Sequence, residues 1–500
     1  MKKNLLLLLA TLFCSIVQAQ EIKDAMHYAQ SELQGTARFT AMSGAFGALG
    51  GDLSSTNVNP AGSAVFANNQ FAFTMGNYNV KNNSNYFGTS TSASENNFEI
   101  NQAGGVFVFK NRNPNSDWQK FTMSINYENT NNYDNSLFSA GTSPINSVAN
   151  YFLNYADGVP LGTITNNDYA YLNNGAQQAY LGYYGFIINP VLDVDTNTSY
   201  TSNVRSGGKY YQENSVYSNG YNGKLIFNSA VQYKDKIYFG FNLNSHFTDY
   251  VQNSNFYESN NNPLDLNYEV KSLDFSNSTH TYGAGFSFQV GAIAKITNEL
   301  RMGLAYESPT WYYLQDELSQ RLTSIRSNTV NTRPPDIVDP YVINYYAPYD
   351  LRTPGSITGS IAYVFGKSGL ISLDYKYKDY SCTEYSPEND SYFRGLNADI
   401  QNSLGSSNEV RLGAEYKIDK FKLRGGYRFE GSPYNNSATM GDLNSFSGGL
   451  GYSFGPIKLD LSYIYSHNTA QEQFFRQGFT EKAQIDTYKN NFTMTLIFEM

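Results

Sequence analysis

The 500-residue chain is poor in several residue types that soluble domains use freely. Charged residues make up 15% of it, against about 25% in an ordinary globular protein, and it has 2 tryptophans and 2 cysteines. Beyond the N-terminus no run of 18 apolar residues occurs, so we expect no membrane-spanning helix. A net charge of -9 and the lack of a basic stripe argue against a nucleic-acid partner.

The N-terminus predicts export. Met1-Lys2-Lys3 is a basic start, Leu5 to Val17 is an apolar run too short to span a bilayer comfortably, and Ala19 ends a small-residue cleavage pattern. We therefore predict a signal peptide at residues 1–19. Cys14 would leave with it, so the mature chain would keep only Cys382 and form no internal disulfide.

Tyrosine and phenylalanine are abundant, with 43 and 33 copies, and they recur at every second position. In 410–418 and again in 421–429, apolar or aromatic residues alternate with charged residues or glycine across a turn at Asp419-Lys420. Successive side chains of a strand point to opposite faces, so this hairpin has one apolar and one charged face. Such strands fit a barrel wall between lipid and a polar lumen.

Turn spacing divides the chain into 14 predicted strands. The even-numbered strands from the second to the twelfth precede short connections, whereas odd-numbered strands precede long polar segments such as 134–220, 252–271 and 318–350. Bacterial outer-membrane barrels have short periplasmic turns and long outer loops. We therefore predict an all-β protein, a 14-stranded antiparallel transmembrane β-barrel in the cell outer membrane of a Gram-negative bacterium. The predicted strands are 69–82, 95–110, 118–133, 221–233, 236–251, 272–296, 300–317, 351–366, 369–385, 406–418, 421–432, 443–455, 457–470 and 484–500.

A soluble β-sandwich is the alternative, because its strands alternate too. Strands in globular proteins average about 5–6 residues, whereas those predicted here run to 12 or more and carry Tyr and Phe towards their ends. We therefore favour the membrane barrel.

Two regions do not belong to the predicted wall. Residues 20–66 are predicted to form an N-terminal hatch, a plug inside the lumen, with a short helix at 24–30; the barrel then takes residues 67–500. The long insertion at about 134–220 is predicted to be extracellular. Segments 147–155 and 176–186 within it are expected to be short amphipathic helices at the outer mouth.

The segment Thr36–Gly62 resembles the hatch of the FadL/TodX family of outer-membrane transporters for hydrophobic compounds. Further matches lie in the wall at 303–309, 353–354, 411–416 and 423–427. The resemblance implies 14 strands, in agreement with the count from turn spacing. The hatch residues that carry it are Arg38, Met42, Gly44, Ala45, Ala48, Asp52, Asn59, Pro60, Ala61 and Gly62.

The resemblance also implies a transport mechanism. Outer loops capture a hydrophobic molecule, which moves to a pocket beside the hatch and leaves sideways through the wall into the membrane. Passive uptake of long-chain fatty acids by a monomer is the expected function, with outer-membrane lipid as the second partner. Apolar loop residues are candidates for capture, or else pack the long loop on itself: Tyr151, Phe152, Tyr155, Tyr183, Tyr184 and Phe186.

Cations on the predicted inner faces of two paired strands are candidates for a substrate carboxylate. They are Arg411, Arg424 and Arg428. The alternative is an internal ladder in which these arginines bind Glu415, Glu430 and Asp52.

No catalytic constellation is evident. The 4 histidines are scattered, without metal-ligand spacing, and we find no nucleophile elbow and no phosphate loop. We therefore expect a protein that is not an enzyme and needs no cofactor or metal. A competing hypothesis is an interaction protein, a barrel of the same type that serves protein secretion or surface attachment instead of uptake.

Overall fold

The computed structural model describes residues 20–113, 115–265, 269–327 and 334–500. The predicted signal peptide at 1–19 lies outside these residues. Among the residues described, no helix is both long and apolar enough to cross a membrane.

Fourteen strands form one closed antiparallel wall. Each strand pairs with its neighbours in the chain, and the last pairs with the first in a register that runs from Gln70 opposite Glu499 to Asn85 opposite Gln484. The predicted 14-strand barrel is therefore confirmed. The wall strands are β1 Gln70–Tyr86, β2 Thr89–Lys110, β3 Trp118–Asn132 with Asn135–Ser143, β4 Tyr210–Tyr233, β5 Ile237–Asn260, β6 Val270–Lys295, β7 Leu300–Glu307 with Trp311–Arg326, β8 Tyr349–Arg352 with Ser356–Phe365, β9 Gly369–Asp379, β10 Ser406–Ile418, β11 Phe421–Glu430, β12 Leu443–Ser453, β13 Ile457–Gln473 and β14 Lys482–Glu499.

The alternation of side chains gives the wall two unlike faces. On β10, Leu412 and Tyr416 point outward and are 40% and 57% exposed. Glu415 points into the lumen, opposite Arg424 of β11. A sheet whose outer face is apolar and whose inner face is polar satisfies lipid on one side and water or protein on the other.

The strands extend further toward the long-loop end than their apolar pattern predicts. β4 begins at Tyr210 and not near 221, β5 continues to Asn260 and not to 251, and β7 continues to Arg326 and not to 317. Outward residues of these extensions include many serines and asparagines. The backbone ladder continues beyond the apolar band, so the end of the hydrophobic pattern marks the edge of the lipid and not the end of the strand.

Two adjacent strands are interrupted by proline. β7 breaks at 308–310, which contains Pro309, and β8 breaks at 353–355, which contains Pro354. Proline cannot donate to the ladder. At the first break the Ser308 hydroxyl accepts from the backbone N–H of Phe288 at 2.9 Å, so the neighbouring strand stays bonded across the gap.

The helices lie in the lumen and at the long-loop end. The predicted helix at 24–30 begins two residues earlier, since Glu21 and Asp24 form a capping box. Short strand pieces at Ile188–Pro190 and Tyr200–Ser202 pair with each other, Asp336–Val338 and Asn344–Tyr345 pair with β7, and Glu384–Ser386 pairs with β8. The helices are α1 Ile22–Ala29, α2 Ala37–Ala41, α3 Ala149–Ala156, α4 Leu161–Thr165, α5 Asn174–Tyr184 and α6 Ser391–Ser403, with 3-10 turns at Ser54–Asn57, Pro60–Val65, Tyr169–Tyr171 and Tyr380–Cys382.

Candidate functional site

Residues 20–66 lie inside the barrel, and wall glycines make room for them. A Cβ at Gly303 would overlap the backbone of Gly47, and one at Gly240 would overlap the backbone of Pro60. The pair Gly413 and Gly426 does the same for the Met42–Ser43 backbone. Close approach of two backbones is a role that only glycine fills. The fit explains the glycines on strand faces that otherwise carry side chains.

The Asn59–Gly62 segment of the hatch packs closely against the wall, at Gly240 and Gly291. The Asn59 side chain accepts from the N–H of Ala61 at 3.1 Å and donates to the carbonyls of Gly47 at 2.7 Å and Ala292 at 3.0 Å. Pro60 occupies the first position of the following 3-10 turn, where a missing N–H costs nothing. Asn59 thus caps that turn, ties two parts of the hatch together and anchors both to β6.

Glycines also shape the hatch from within. Gly44, at φ +73°, and Gly50, at φ +62°, occupy the left-handed region that side chains rarely adopt. The Gly62 carbonyl accepts from the N–H of Gly51 at 3.0 Å, closing a loop that contains the first 3-10 turn, Ser54–Asn57.

Arg38 joins the hatch to the wall. Its guanidinium donates to Glu415 of β10 at 3.0 Å and to the carbonyl of Gly51 at 3.1 Å. Burial opposes the charge, but Glu415 outweighs it and raises the pKa of Arg38 above its ordinary value. Asp52 accepts from the Thr36 hydroxyl at 2.7 Å inside the hatch, and burial raises the pKa of that carboxyl.

Arg424 shares the same carboxylate from the wall side. Its side chain is fully buried and donates to Glu415 and to Asp460 of β13, both at 2.7 Å. A second cluster links Arg411 and Arg428 to Glu409, and Arg428 also binds Glu430 at 2.6 Å. The three predicted substrate arginines are therefore engaged by wall carboxylates.

Sequence reasoning missed three carboxylates in these networks, including Glu409, which binds Arg411 and Arg428. Asp374 of β9 accepts from the backbone N–H groups of Phe46 and Gly47, both at 2.9 Å, and holds the turn of the hatch. Asp460 completes the bonding of Arg424. An aspartate on the inner face of an aromatic strand is the available signal, but nothing in the strand itself shows which group it binds.

A cavity of about 900 Å³ lies in the lumen beside α1. Three cations of its lining form ion pairs: Lys489 with Glu32 of the hatch, Lys23 with Glu472, and Arg428 with Glu430. Aromatic and aliphatic side chains face it from several strands and from a loop at the long-loop end. These apolar residues include Val80, Leu137, Phe256, Phe474, Phe475 and Ile485. The cavity therefore combines apolar surface with cations that lie among nine lining carboxylates, and its volume is within the range of small-molecule sites.

The predicted capture residues divide into a buried set and a more exposed set. Phe152 is fully buried and Tyr151 is 9% exposed, in a cluster with Phe275 of β6. Tyr151 also contacts the rings of Tyr155 and Phe475, at 5.0 Å and 4.8 Å between centroids. These residues roof the barrel mouth over the cavity.

The second predicted set lies on and after α5. Tyr183 and Tyr184 contact each other at 5.1 Å, and Tyr184 is 39% exposed. The Phe186 ring packs against the Arg326 guanidinium at 3.6 Å. Both sets of predicted aromatics therefore belong to the loop layer over the barrel mouth. Of the two sets, the α3 residues lie next to the cavity lining.

The wall is incomplete between β2 and β3. Their ladder runs only from Lys110 to Gln102, so the outer half of β2 pairs with β1 alone. The second piece of β3 instead crosses the inner face of the β1–β2 hairpin: the Asn82 side chain of β1 donates to the carbonyl of Ser136 at 2.8 Å, and the Thr91 hydroxyl of β2 donates to the carbonyl of Phe138 at 2.5 Å. At the break the Asn132 amide donates to Glu99 at 3.0 Å.

The hatch rests against this break. The N–H of Glu32 donates to the carbonyl of Thr130 at 3.0 Å, and the Asn131 amide donates to the carbonyl of Gln30 at 2.9 Å. Residues 131–135 also line the cavity. The cavity, the start of the hatch and the break in the wall are therefore contiguous.

A closed barrel with an apolar outer band, an internal hatch and a lumen cavity defines an outer-membrane channel protein. The model of the family described as outer membrane protein transport protein (OMPP1/FadL/TodX) matches residues 184–496. The chain belongs to this family, whose members are outer-membrane transporters of hydrophobic compounds.

Solved structures of similar shape agree with the fold. A FadL homologue of Pseudomonas aeruginosa is 12% identical, with a TM-score of 0.55, and the match covers 94% of this chain and 99% of that one. The toluene transporter TodX of Pseudomonas putida is 13% identical, with a TM-score of 0.50 and the same coverage. At these identities the likeness concerns the fold alone. No curated protein matches the sequence.

Proposed function

We propose that this protein takes up long-chain fatty acids passively and releases them sideways into the outer membrane between β2 and β3. The observation that carries the proposal is the continuity of the lumen cavity with the break in the wall. The long-loop end faces the medium and the short-turn end faces the periplasm. The mature protein begins at Gln20, works as a monomer and catalyses no reaction.

The chemistry of the cavity supports this substrate class. A long alkyl chain gains about 0.8 kcal/mol for each CH₂ that leaves water, which the aromatic and aliphatic lining supplies. A carboxylate suits Lys489 or Arg428 at the cavity wall, where it would compete with Glu32 or Glu430. The partly exposed Tyr155 is proposed to receive the molecule first, next to Tyr151, which contacts Phe475 of the cavity lining.

The break gives the chain a way out that avoids the hatch. An alkyl chain that passes from the cavity between β2 and β3 meets Phe98 and Ile100 on the lipid side, which are 62% and 48% exposed. A route through the hatch would instead separate Asn59, Arg38 and Asp374 from their partners. Lateral exit leaves those buried bonds intact.

A cross-link across the break tests the exit. In a Cys382→Ser background, Glu99→Cys and Asn132→Cys are joined by a short thiol reagent that a reductant cleaves. We expect uptake of a labelled long-chain fatty acid by cells to stop on cross-linking and to recover on reduction. The control pair Lys417→Cys and Lys422→Cys, opposite each other in the β10–β11 hairpin, leaves uptake unchanged.

The outcomes separate the alternatives. Uptake that continues with the 99–132 cross-link in place disproves lateral exit. No uptake by the uncross-linked protein, together with loss of surface proteins on deletion of the gene, supports the secretion role instead.

A further inference from the structure

A second cavity lies on the outside of the barrel, away from the lumen. It is a groove of about 770 Å³ across the outer face of the strand extensions of β3 to β7. Its floor consists of two rows of outward residues that lie directly opposite one another in the ladders. The rows are Ser136–Tyr217–Asn253–Ser278–Ser319 and Phe138–Ser215–Asn255–Ser276–Arg321.

One rim of the groove is a bulge of the chain at 339–343. The segments on either side of it pair with β7, so the bulge is held at both ends and projects outward. Its tip is Tyr341, which is 90% exposed at φ +53°, a conformation that costs a non-glycine residue free energy. Arg321 binds Asp339 at 3.4 Å and fastens the bulge to the floor.

The groove stands above the lipid. Tyr127, Tyr221 and Phe247 mark the outward aromatic belt of this side, where the Phe247 ring packs against each of the two tyrosines at 6.1 Å. Ser215 lies six residues further along β4 than Tyr221. At about 3.3 Å per residue on a strand tilted by about 40°, this places the groove roughly 15 Å beyond the belt. That height corresponds to the sugars of lipids anchored in the outer leaflet.

We propose that this groove binds the neutral core sugars of lipopolysaccharide anchored in the same leaflet as the barrel. Serine hydroxyls and asparagine amides both donate and accept, which matches the hydroxyl groups of a saccharide. Tyr217 and Tyr341 offer aromatic faces at the floor and rim for the apolar faces of sugar rings.

The charge of the groove favours a neutral ligand. Its cation, Arg321, and its carboxylate, Asp339, bind each other, so neither is offered to a phosphate or a metal ion. Anchorage supplies the second argument: a glycan fixed at this height by its own lipid has a high effective concentration at the groove. The inference rests on the position of the barrel in the outer membrane and not on what the lumen transports.

The test uses the full mature chain in lipid nanodiscs that contain no lipopolysaccharide. The probe is core oligosaccharide of lipopolysaccharide from the native bacterium, freed of lipid and phosphate, and binding is measured by saturation-transfer NMR and calorimetry. We expect wild-type protein to bind, Tyr341→Ala to bind about three- to tenfold more weakly, and Ser278→Arg to lose binding.

Tyr345→Ala is the matched control. Tyr345 lies two residues after the bulge and is 65% exposed, but it does not line the groove. It should bind as wild type does, and each variant must show the heat-resistant gel mobility of a folded barrel. Absence of binding by the wild-type protein would overturn the proposal. So would wild-type affinity in both Tyr341→Ala and Ser278→Arg. Equal affinity of the wild-type protein for a neutral polysaccharide that does not come from lipopolysaccharide would overturn it as well.

Discussion

At the scale of single residues, buried charge holds the hatch in place. Glu415 accepts from Arg38 of the hatch and from Arg424 of the wall, and Arg424 also reaches Asp460. Asp460 has Arg424 as its ion-pair partner and Arg38 has Glu415, each within 3.0 Å, so removal of Arg424 or of Glu415 leaves a buried charge uncompensated. Such removals cost more than the intact pair contributes.

Arg424→Met is expected to lower the free energy of unfolding by about 3–5 kcal/mol, because Asp460 loses its buried cation and Glu415 keeps only Arg38. Urea unfolding in detergent micelles measures the change. Arg352→Met is the control: Arg352 binds Glu384 at 2.6 Å but is 47% exposed, so its loss should cost less than about 1 kcal/mol. Equal losses in the two variants would contradict a structural role for the buried network.

At the scale of elements, α1 is fastened by the wall. The Asn131 amide donates to the carbonyls of His27 and Gln30 at 3.1 Å and 2.9 Å, and Lys378 binds the carbonyl of Ala29. These bonds satisfy carbonyls that a helix leaves open at its C-terminus. Since Asn131 belongs to the break in the wall, α1 and the break are physically connected.

Two groups of α1 make its docking depend on pH in opposite directions. Burial, with Glu21 and Asp316 nearby, raises the pKa of Asp24 to about 7, and burial lowers the pKa of His27 to about 3. The docked helix therefore keeps a proton on Asp24 that the free helix releases, so docking weakens as pH rises from about 4 to 7. The free helix takes up a proton on His27 below about 6.5, so docking also weakens as pH falls from there.

Single variants separate these two effects. With His27→Gln, docking should strengthen steadily as pH falls from 7 to 4; with Asp24→Asn, docking should weaken over the same range. A spin label at Ser31→Cys, in a Cys382→Ser background, reports helix mobility. Parallel pH profiles for the two variants would show that neither group governs docking.

At the scale of the whole molecule, a hatch and a wall close the lumen together. Wall glycines meet the hatch backbone on several strands, so the seal depends on the absence of side chains. Gly303 faces Gly47 of the hatch, whereas a Cβ at Gly359 of the adjacent strand would meet nothing within 4 Å.

Gly303→Val is expected to displace the hatch and open an ion path, because its side chain overlaps the Gly47 backbone. Single-channel recording in planar bilayers should show larger and more frequent openings than wild type. Gly359→Val, a change of the same size one register position away, should remain closed. A sealed Gly303→Val barrel would mean that the hatch adapts without leaving its seat.

The strands of the wall are predictable from the sequence alone, because apolar and polar residues of a barrel strand alternate at every second position and turn residues separate the strands. Alternation also predicts the inward direction of Arg411, Arg424 and Arg428, whereas the hatch motif at Asn59–Gly62 is recognised through the family resemblance. Alternation along a strand and the turn residues between strands are local features, so they are visible in the sequence without knowledge of which residues meet in the fold.

Only the tertiary structure decided which groups meet. Asp460 and Asp374 gain their roles from contacts with Arg424 and with the hatch, which are far apart in the chain. The break between β2 and β3 arises because the outer half of β3 leaves the ladder with β2 and crosses the inner face of the β1–β2 hairpin. The outer groove arises because residues of five strands align in two outward rows. Periodicity fixes the face of a side chain, whereas register and strand path between distant segments fix its neighbour.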